Sequence, residues 1–332
     1  MYWKRAGEVI AVSRDGATVD FSFRANAFAD IANATAWPAS DSLTLTAAKD
    51  EADRANVEEG RRGDYRAYRV HRLGIESLTS EYTNIAIPLL DNSGLAYSNG
   101  GSLVVVRGDV RQTFRLGRFS WGPTSVSCDA AGRWIGMTKW RGDDRKVAFL
   151  DPATNTLAIT RFSHYSYLLY DDSILYTHGS VSSYSPTNNK STTIFPLAKK
   201  RGLLEELGLE AGWANKSRFF FNNLSILSGT PVVSLRIADV RSYEEIWQGV
   251  ITLPVRGGPF EILYTTQSPW QIKGITSNGR LLAVALERYQ DARLADHREV
   301  FVDRTGERSL GEWTLVSAPF APDHRFQFLP RP

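Results

Sequence analysis

Histidines and paired carboxylates are the residues of this chain best suited to chemistry. His164 and His178 flank Asp171-Asp172, and imidazole nitrogens with a carboxylate oxygen make a donor set that can hold zinc. The acidic pair, however, fills a hairpin-turn slot that Asp129 and Asn278 fill elsewhere. Short polar side chains favour that slot because they bond the turn backbone. His71, His297 and His324 are scattered, so no metal site is expected. Asp143, Asp144, Glu244 and Glu245 are carboxylates of the kind that cleave glycosides when two face each other, roughly 5 to 9.5 Å apart. Each stands near an arginine in a charged hairpin and reads as a solvated turn residue. The lone cysteine, Cys128, alternates with Val126 before a turn; it reads as a small buried strand residue rather than a nucleophile. G-x-S-x-G, P-loop, H-E-x-x-H and G-x-G-x-x-G patterns are all absent. No catalytic residue, metal or cofactor is therefore expected, and the chain leans away from being an enzyme.

The elements that must position these groups repeat. Residues 129–157, "DAAGRWIGMTKWRGDDRKVAFLDPATNTL", run turn, apolar strand, charged hairpin, second strand, new turn. Residues 277–310 follow the same grammar through "RLLAVAL", "REVFVD" and "RTGE". Weaker copies occupy 43–79, 91–116, 171–197 and 219–253, and Asp15-Gly16 marks a hairpin near the start. Short strands joined by tight turns, at intervals of roughly 35 to 57 residues, suit four-stranded propeller blades. "GRWIGM" and "VAFLDPATN" resemble the repeat of TolB-like β-propellers, in which a D-G-[KR] turn precedes an apolar strand and a later strand ends in Asp. The resemblance is to a fold superfamily and points to no specific family.

The expected fold is thus all-β: a single closed β-propeller of four-stranded blades, seven in number, with six the alternative. Blade boundaries fall near 1–34, 35–79, 80–117, 118–162, 163–212, 213–265 and 266–316. The strand "HRFQFL", 324–329, is expected to close the ring against the first blade, leaving no unpaired edge at the seam. Leu203, Leu204 and Leu207 recur at helical spacing before Gly208, which predicts a short helical insertion near 197–213. "DEADRANVEEG" is a second helix candidate.

An aromatic residue stands in or near the link into each unit: Trp3, Trp37, Tyr82, Trp121, Tyr165, Trp213 and Trp270. Rings bury much area at low entropic cost, so they suit packing between blades and equally a stacking surface around one channel mouth. The candidate binding residues are Trp121, His164, Tyr165, Tyr167, Trp213, Trp270 and Gln271, with Asn215, Lys216, Gln267 and Ser268 as polar neighbours.

Composition bounds the partner. With 39 basic and 36 acidic residues, the formal charge of +3 is too balanced for a nucleic-acid footprint. No apolar run reaches the roughly 18 to 20 residues of a membrane span, and the start has no secretory h-region. The chain as given is expected to be cytoplasmic, or periplasmic or secreted if Met1 stands where an export signal was trimmed. A non-catalytic binding protein, holding a partner protein across the channel mouth, is the functional expectation. A bacterial immunity or adaptor protein would fit. A carbohydrate-binding or carbohydrate-processing propeller is the alternative.

Overall fold

A computed structural model describes residues 2–6, 9–13, 19–24, 27–28, 30–36, 42–49, 64–83, 85–89, 93–99, 102–115, 126–128, 135–141, 144–151, 154, 156–159, 166–171, 173–195, 200–255, 259–277, 281–290, 293–308 and 314–315. The chain divides into two compact units, residues 1–162 with 310–332, and residues 163–309. Strands dominate both. Among the described residues no helix is long and apolar enough to cross a membrane.

In the first unit, β1 (Tyr2–Ala6), β2 (Val9–Ser13) and β3 (Val19–Arg24) form one antiparallel sheet. The next sheet is β4 (Asp30–Ala36), β5 (Ser42–Ala48), β6 (Arg66–His71) and β7 (Gly74–Ser77). Then come β8 (Ile85–Pro88), β9 (Leu95–Asn99), β10 (Ser102–Arg107) and β11 (Val110–Arg115). The fourth is β12 (Val126–Cys128), β13 (Ile135–Arg141), β14 (Asp144–Asp151) and β15 (Thr156–Ile159). Cys128 ends β12 and pairs with Ile135.

The second unit holds three sheets. The first is β16 (Ser166–Tyr170), β17 (Ser173–Thr177), β18 (Val181–Ser185) and β19 (Lys190–Phe195). The second is β20 (Ser217–Leu227), β21 (Thr230–Asp239), β22 (Glu245–Thr252) and β23 (Ile262–Thr266). The third is β24 (Trp270–Ser277), β25 (Leu282–Gln290), β26 (Arg293–Asp303) and β27 (Gly306–Arg308). Every sheet is a four-stranded meander of sequence neighbours, except that a two-residue strand, β28 (Thr314–Leu315), supplies the fourth strand beside β1. This is the β-propeller arrangement, and side chains are described through most of five of the sheets. The closing strand expected at 324–329 lies outside the described residues, as does the helix expected at 50–60. The described partner of β1 is β28, through Lys4↔Leu315 and Arg5↔Thr314.

Sheets stacked face to face bury both sides of their central strands, which is why those strands read as near-continuous apolar runs. Val232 and Val250 meet Ile275, Val284, Leu286 and Val300 of the following sheet. The other side, with Val233, Leu235 and Ile237, packs with Phe219 and Phe221 against Leu175 and Val181 of the preceding one. The segment expected to be helical contains α1 (Lys200–Glu206), followed by a 3-10 turn at Ala211–Asn215. Leu203, Leu204 and Leu207 join that same core. Gly208, at φ +71°, ends α1, with its N–H on the Glu205 carbonyl at 3.0 Å; glycine takes this left-handed conformation without a Cβ penalty.

Except for β1, the first strand of each sheet has an edge with no ladder partner, and buried polar groups there need hydrogen bonds. Side chains of the preceding sheet supply them. The Ala86 N–H of β8 donates to Thr46 Oγ1 at 3.0 Å. Thr177 Oγ1 donates to the Asn222 carbonyl of β20 at 3.1 Å and accepts the Ser166 N–H at 3.1 Å. Gln248 Oε1 accepts the Ile272 N–H of β24 at 2.9 Å, while its Nε2 donates to the Trp270 carbonyl. All three polar side chains are buried.

Candidate functional site

Each sheet has a leading end, where its first strand begins and its second and third strands are joined by a hairpin. In the second unit this end gathers the expected site residues that the structure describes. Tyr167 is the second residue of β16, half-buried and opposite Tyr176. Trp213, in the 3-10 turn, is half-buried against the core beneath α1. Asn215 and Lys216 follow it in the open, and Gln267 and Ser268 are exposed in the link to β24. Trp270 is the first residue of β24 and Gln271 the second, both half-buried. Trp121, His164 and Tyr165 lie outside the described residues.

Register explains what surrounds Trp270. It pairs with Arg288, while Ile272 pairs with Leu286, which in turn pairs with Arg298. Alternation in a strand puts residues two apart on one face, so Trp270, Ile272, Leu286, Arg288 and Arg298 share a face. The Arg298 guanidinium lies 4.5 Å and that of Arg288 5.6 Å from the indole centroid. Two cations within about 6 Å of the ring satisfy its π face electrostatically. Arg288 also pairs with Asp296 at 3.5 Å. Trp270 is therefore a half-buried ring flanked by two cations of its own chain.

The same interleaving recurs nearby. Arg236 and Arg218 stand 5.1 and 6.0 Å from the Phe220 ring. The Arg218 Nη1 also donates to the Tyr243 hydroxyl at 3.4 Å. Lys273 lies over Tyr289 at 4.6 Å, and the Tyr289 hydroxyl donates to Glu287, which is buried. That bond, and burial after it, push the Tyr289 pKa above its ordinary value, so this tyrosine keeps its proton. None of these cations was legible as a site member, because each occupies an ordinary alternate position on a strand.

Two hairpins project from this end. Between β21 and β22, the Asp239 carboxylate accepts the Arg241 and Ser242 N–H groups at 2.7 and 2.8 Å, which shapes the turn and lowers its pKa. The tip exposes Val240 and Tyr243. The β25–β26 hairpin runs beyond the start of β24 through the pairs Tyr289↔Leu294 and Gln290↔Arg293, and exposes Tyr289 and Leu294. β25 thus runs on to Gln290 and β26 begins at Arg293, a stretch that the sequence pattern leaves between two separate strands.

Charge is uneven between the two ends of this unit. At the leading end Lys216 and Arg218 open onto solvent beside β20, and Arg241 sits in the first hairpin. Lys273, Arg288, Arg293 and Arg298 are exposed on the next sheet. Among the described residues the exposed acids there are Glu244 and Asp296, with Glu205, Glu206 and Glu210 in the link that carries α1. Glu245 was expected to be a solvated hairpin residue; it is the first residue of β22 and half-buried. Burial raises its pKa, against the pull of Arg236. At the trailing end the described exposed charges are Lys190 and Arg304 against Asp171, Glu261 and Glu307. Asp171 takes φ +49°, the left-handed turn geometry its sequence slot implied. Among the described residues no three His, Cys, Asp or Glu side chains gather as metal ligands.

Fold and site together define a β-propeller with a basic, aromatic leading end in its second unit. No protein-family model matches the sequence, and no curated protein matches it either. Solved structures do share its shape. An acylaminoacyl peptidase from Pyrococcus horikoshii is similar at 10% identity and a TM-score of 0.51, covering 84% of this chain and 45% of that one. The present chain thus spans less than half the length of that peptidase. TolB from Acinetobacter baumannii is similar at 11% identity and a TM-score of 0.37, covering 81% of this chain and 78% of that one. A putative TolB from Agrobacterium tumefaciens shows 11% identity and a TM-score of 0.40, over 68% and 77% of the two chains. At such identities the likeness concerns fold alone.

Proposed function

We propose that the protein is one closed seven-bladed β-propeller that works, without catalysis, by holding a partner protein at the leading end of its blades. The ring is supported by seven sheets of one strand order and by β28 lying beside β1. The binding role rests on one observation: the two projecting hairpins expose Val240 at 45%, Tyr243 at 55%, Tyr289 at 41% and Leu294 at 52%. Aromatic and aliphatic side chains held out on hairpins, among exposed cations, are the composition of a protein interface core and rim. Sugar recognition needs open ring faces, whereas Trp270 and Tyr289 already carry cations. An immunity or adaptor role suits such a binder.

The test starts by capturing partners from cells of the source organism on the immobilised protein. Affinity is then measured for Val240→Ser, Tyr243→Ser and Leu294→Ser. Truncating a hot spot should weaken a bound partner by about 1 to 4 kcal/mol while the denaturant midpoint stays put. Unchanged affinity in all three variants overturns the reading.

A further inference from the structure

We infer that the partner presents an acidic segment to the leading end of the second unit, one that alternates carboxylates with apolar side chains. This rests on the binding role proposed above and assigns the chemistry of what is bound. Among the described residues eight exposed cations stand at this end against five exposed acids. Arg201 pairs with Glu205 in α1 and Arg288 with Asp296, and the other six cations have no described acid within ion-pair distance. Among the described residues the trailing end of the same sheets carries no such excess. An imbalance confined to one end is directional, and complementary charge steers association and fixes register.

The aromatic residues argue for a polypeptide over a nucleic acid. Bases bind single-strand proteins by stacking on open rings. Here Arg298 lies 4.5 Å from the Trp270 centroid, Arg236 5.1 Å from Phe220 and Lys273 4.6 Å from Tyr289. Each ring orients a cation instead of waiting for a base. A carboxylate approaching from solvent meets guanidinium groups whose other side is braced by a ring, while Val240 and Leu294 at the tips offer contact to apolar neighbours. Acid and apolar groups in alternation match cations and hairpin tips in alternation.

The experiment uses the full chain and three labelled probes: a short peptide alternating glutamate with leucine, its lysine-for-glutamate counterpart, and a single-stranded oligothymidylate. The acidic peptide should bind, and binding should weaken steadily as salt is raised. Reversing Lys216, Arg241 and Arg293 to Glu, three exposed cations that brace no ring, should weaken it about tenfold or more, with an unchanged denaturant midpoint. Lys190→Glu at the trailing end should leave it unaltered. Equal binding of both peptides, no effect of the triple reversal, or tighter binding of the oligonucleotide overturns the inference. If the hairpin truncations weaken a captured partner but the charge reversals do not, the binding role stands and the acidic chemistry fails.

Discussion

In the first unit the link from β7 to β8 is pinned by hydroxyls and one carboxylate; in the second, the link from β23 to β24 is pinned by one amide and a ring among guanidinium groups. Glu81 accepts from the Tyr97 hydroxyl, from Arg111 and from Asn99 Nδ2, the last at 2.7 Å. Thr79 and Thr83 share a hydrogen bond at 3.1 Å, and the Ala67 N–H donates to Thr79 Oγ1 at 2.9 Å. The bonds at this link are spread over many small donors and acceptors. Gln248 instead satisfies both the Trp270 carbonyl and the Ile272 N–H alone. Dividing the task makes a link tolerant of single changes, whereas concentrating it makes one side chain decisive. The tolerant link is where titratable groups carry the bonds, so it should answer to pH; the concentrated one should not.

Gln248→Leu should break the contrast most sharply. It leaves the Trp270 carbonyl and the Ile272 N–H, both of half-buried residues, without this partner, a loss of about 2 to 6 kcal/mol at roughly 1 to 3 for each group. A denaturant series reads it directly, and a loss no larger than that of a surface change would show that another group takes over. Thr46→Val keeps shape and removes only the acceptor for Ala86, so it should lose about 1 to 3 kcal/mol. The third test is of pH. The Tyr97 hydrogen bond, and then the Arg111 charge, hold the Glu81 carboxyl below its ordinary pKa. A lowered folded-state value means stability present above the ordinary carboxylate range and lost as pH falls through the folded value. Burial, with the bond to Glu81, pushes Tyr97 up to about 12. Its contribution is therefore complete below its ordinary value near 10 and fades as pH rises toward 12. Glu81→Gln should flatten the acid limb of a stability profile and shrink the alkaline one, and an unchanged profile would remove the network from the account. The smallest effect belongs to Leu73→Ser. Leu73 is 92% exposed in the β6–β7 turn, and its loss should stay within about 0.5 kcal/mol.

Strands and turns were the legible part of the sequence. "SNGGSLVVVRGDVRQTFRL" announces β9, β10 and β11 because Gly and Asp punctuate short runs, and the observed strands end at those residues. The lengths of β25 and β26 were hidden, since Glu287 to His297 are too polar to show an apolar period. Their pairing is set by backbone register and not by side-chain type. The site was only half legible. Trp270 and Gln271 stand out in a link, but Arg288 and Arg298 become their neighbours through cross-strand pairing. Gln248 lies still deeper out of sight. A glutamine within "EIWQGVIT" carries no sign that its amide serves the next sheet.

The pairing of β1 with β28 sets a timetable. During synthesis Arg5 must wait about 310 residues for Thr314, which at about 5 to 20 residues per second is about 15 to 60 seconds. Until then one rim of the first sheet is a naked template that any passing strand could copy. The two residues that β28 will eventually cover are Lys4 and Arg5, and like charges stacked edge to edge repel. The wait belongs to the passage to the folded state, and it leaves no trace once β28 has paired.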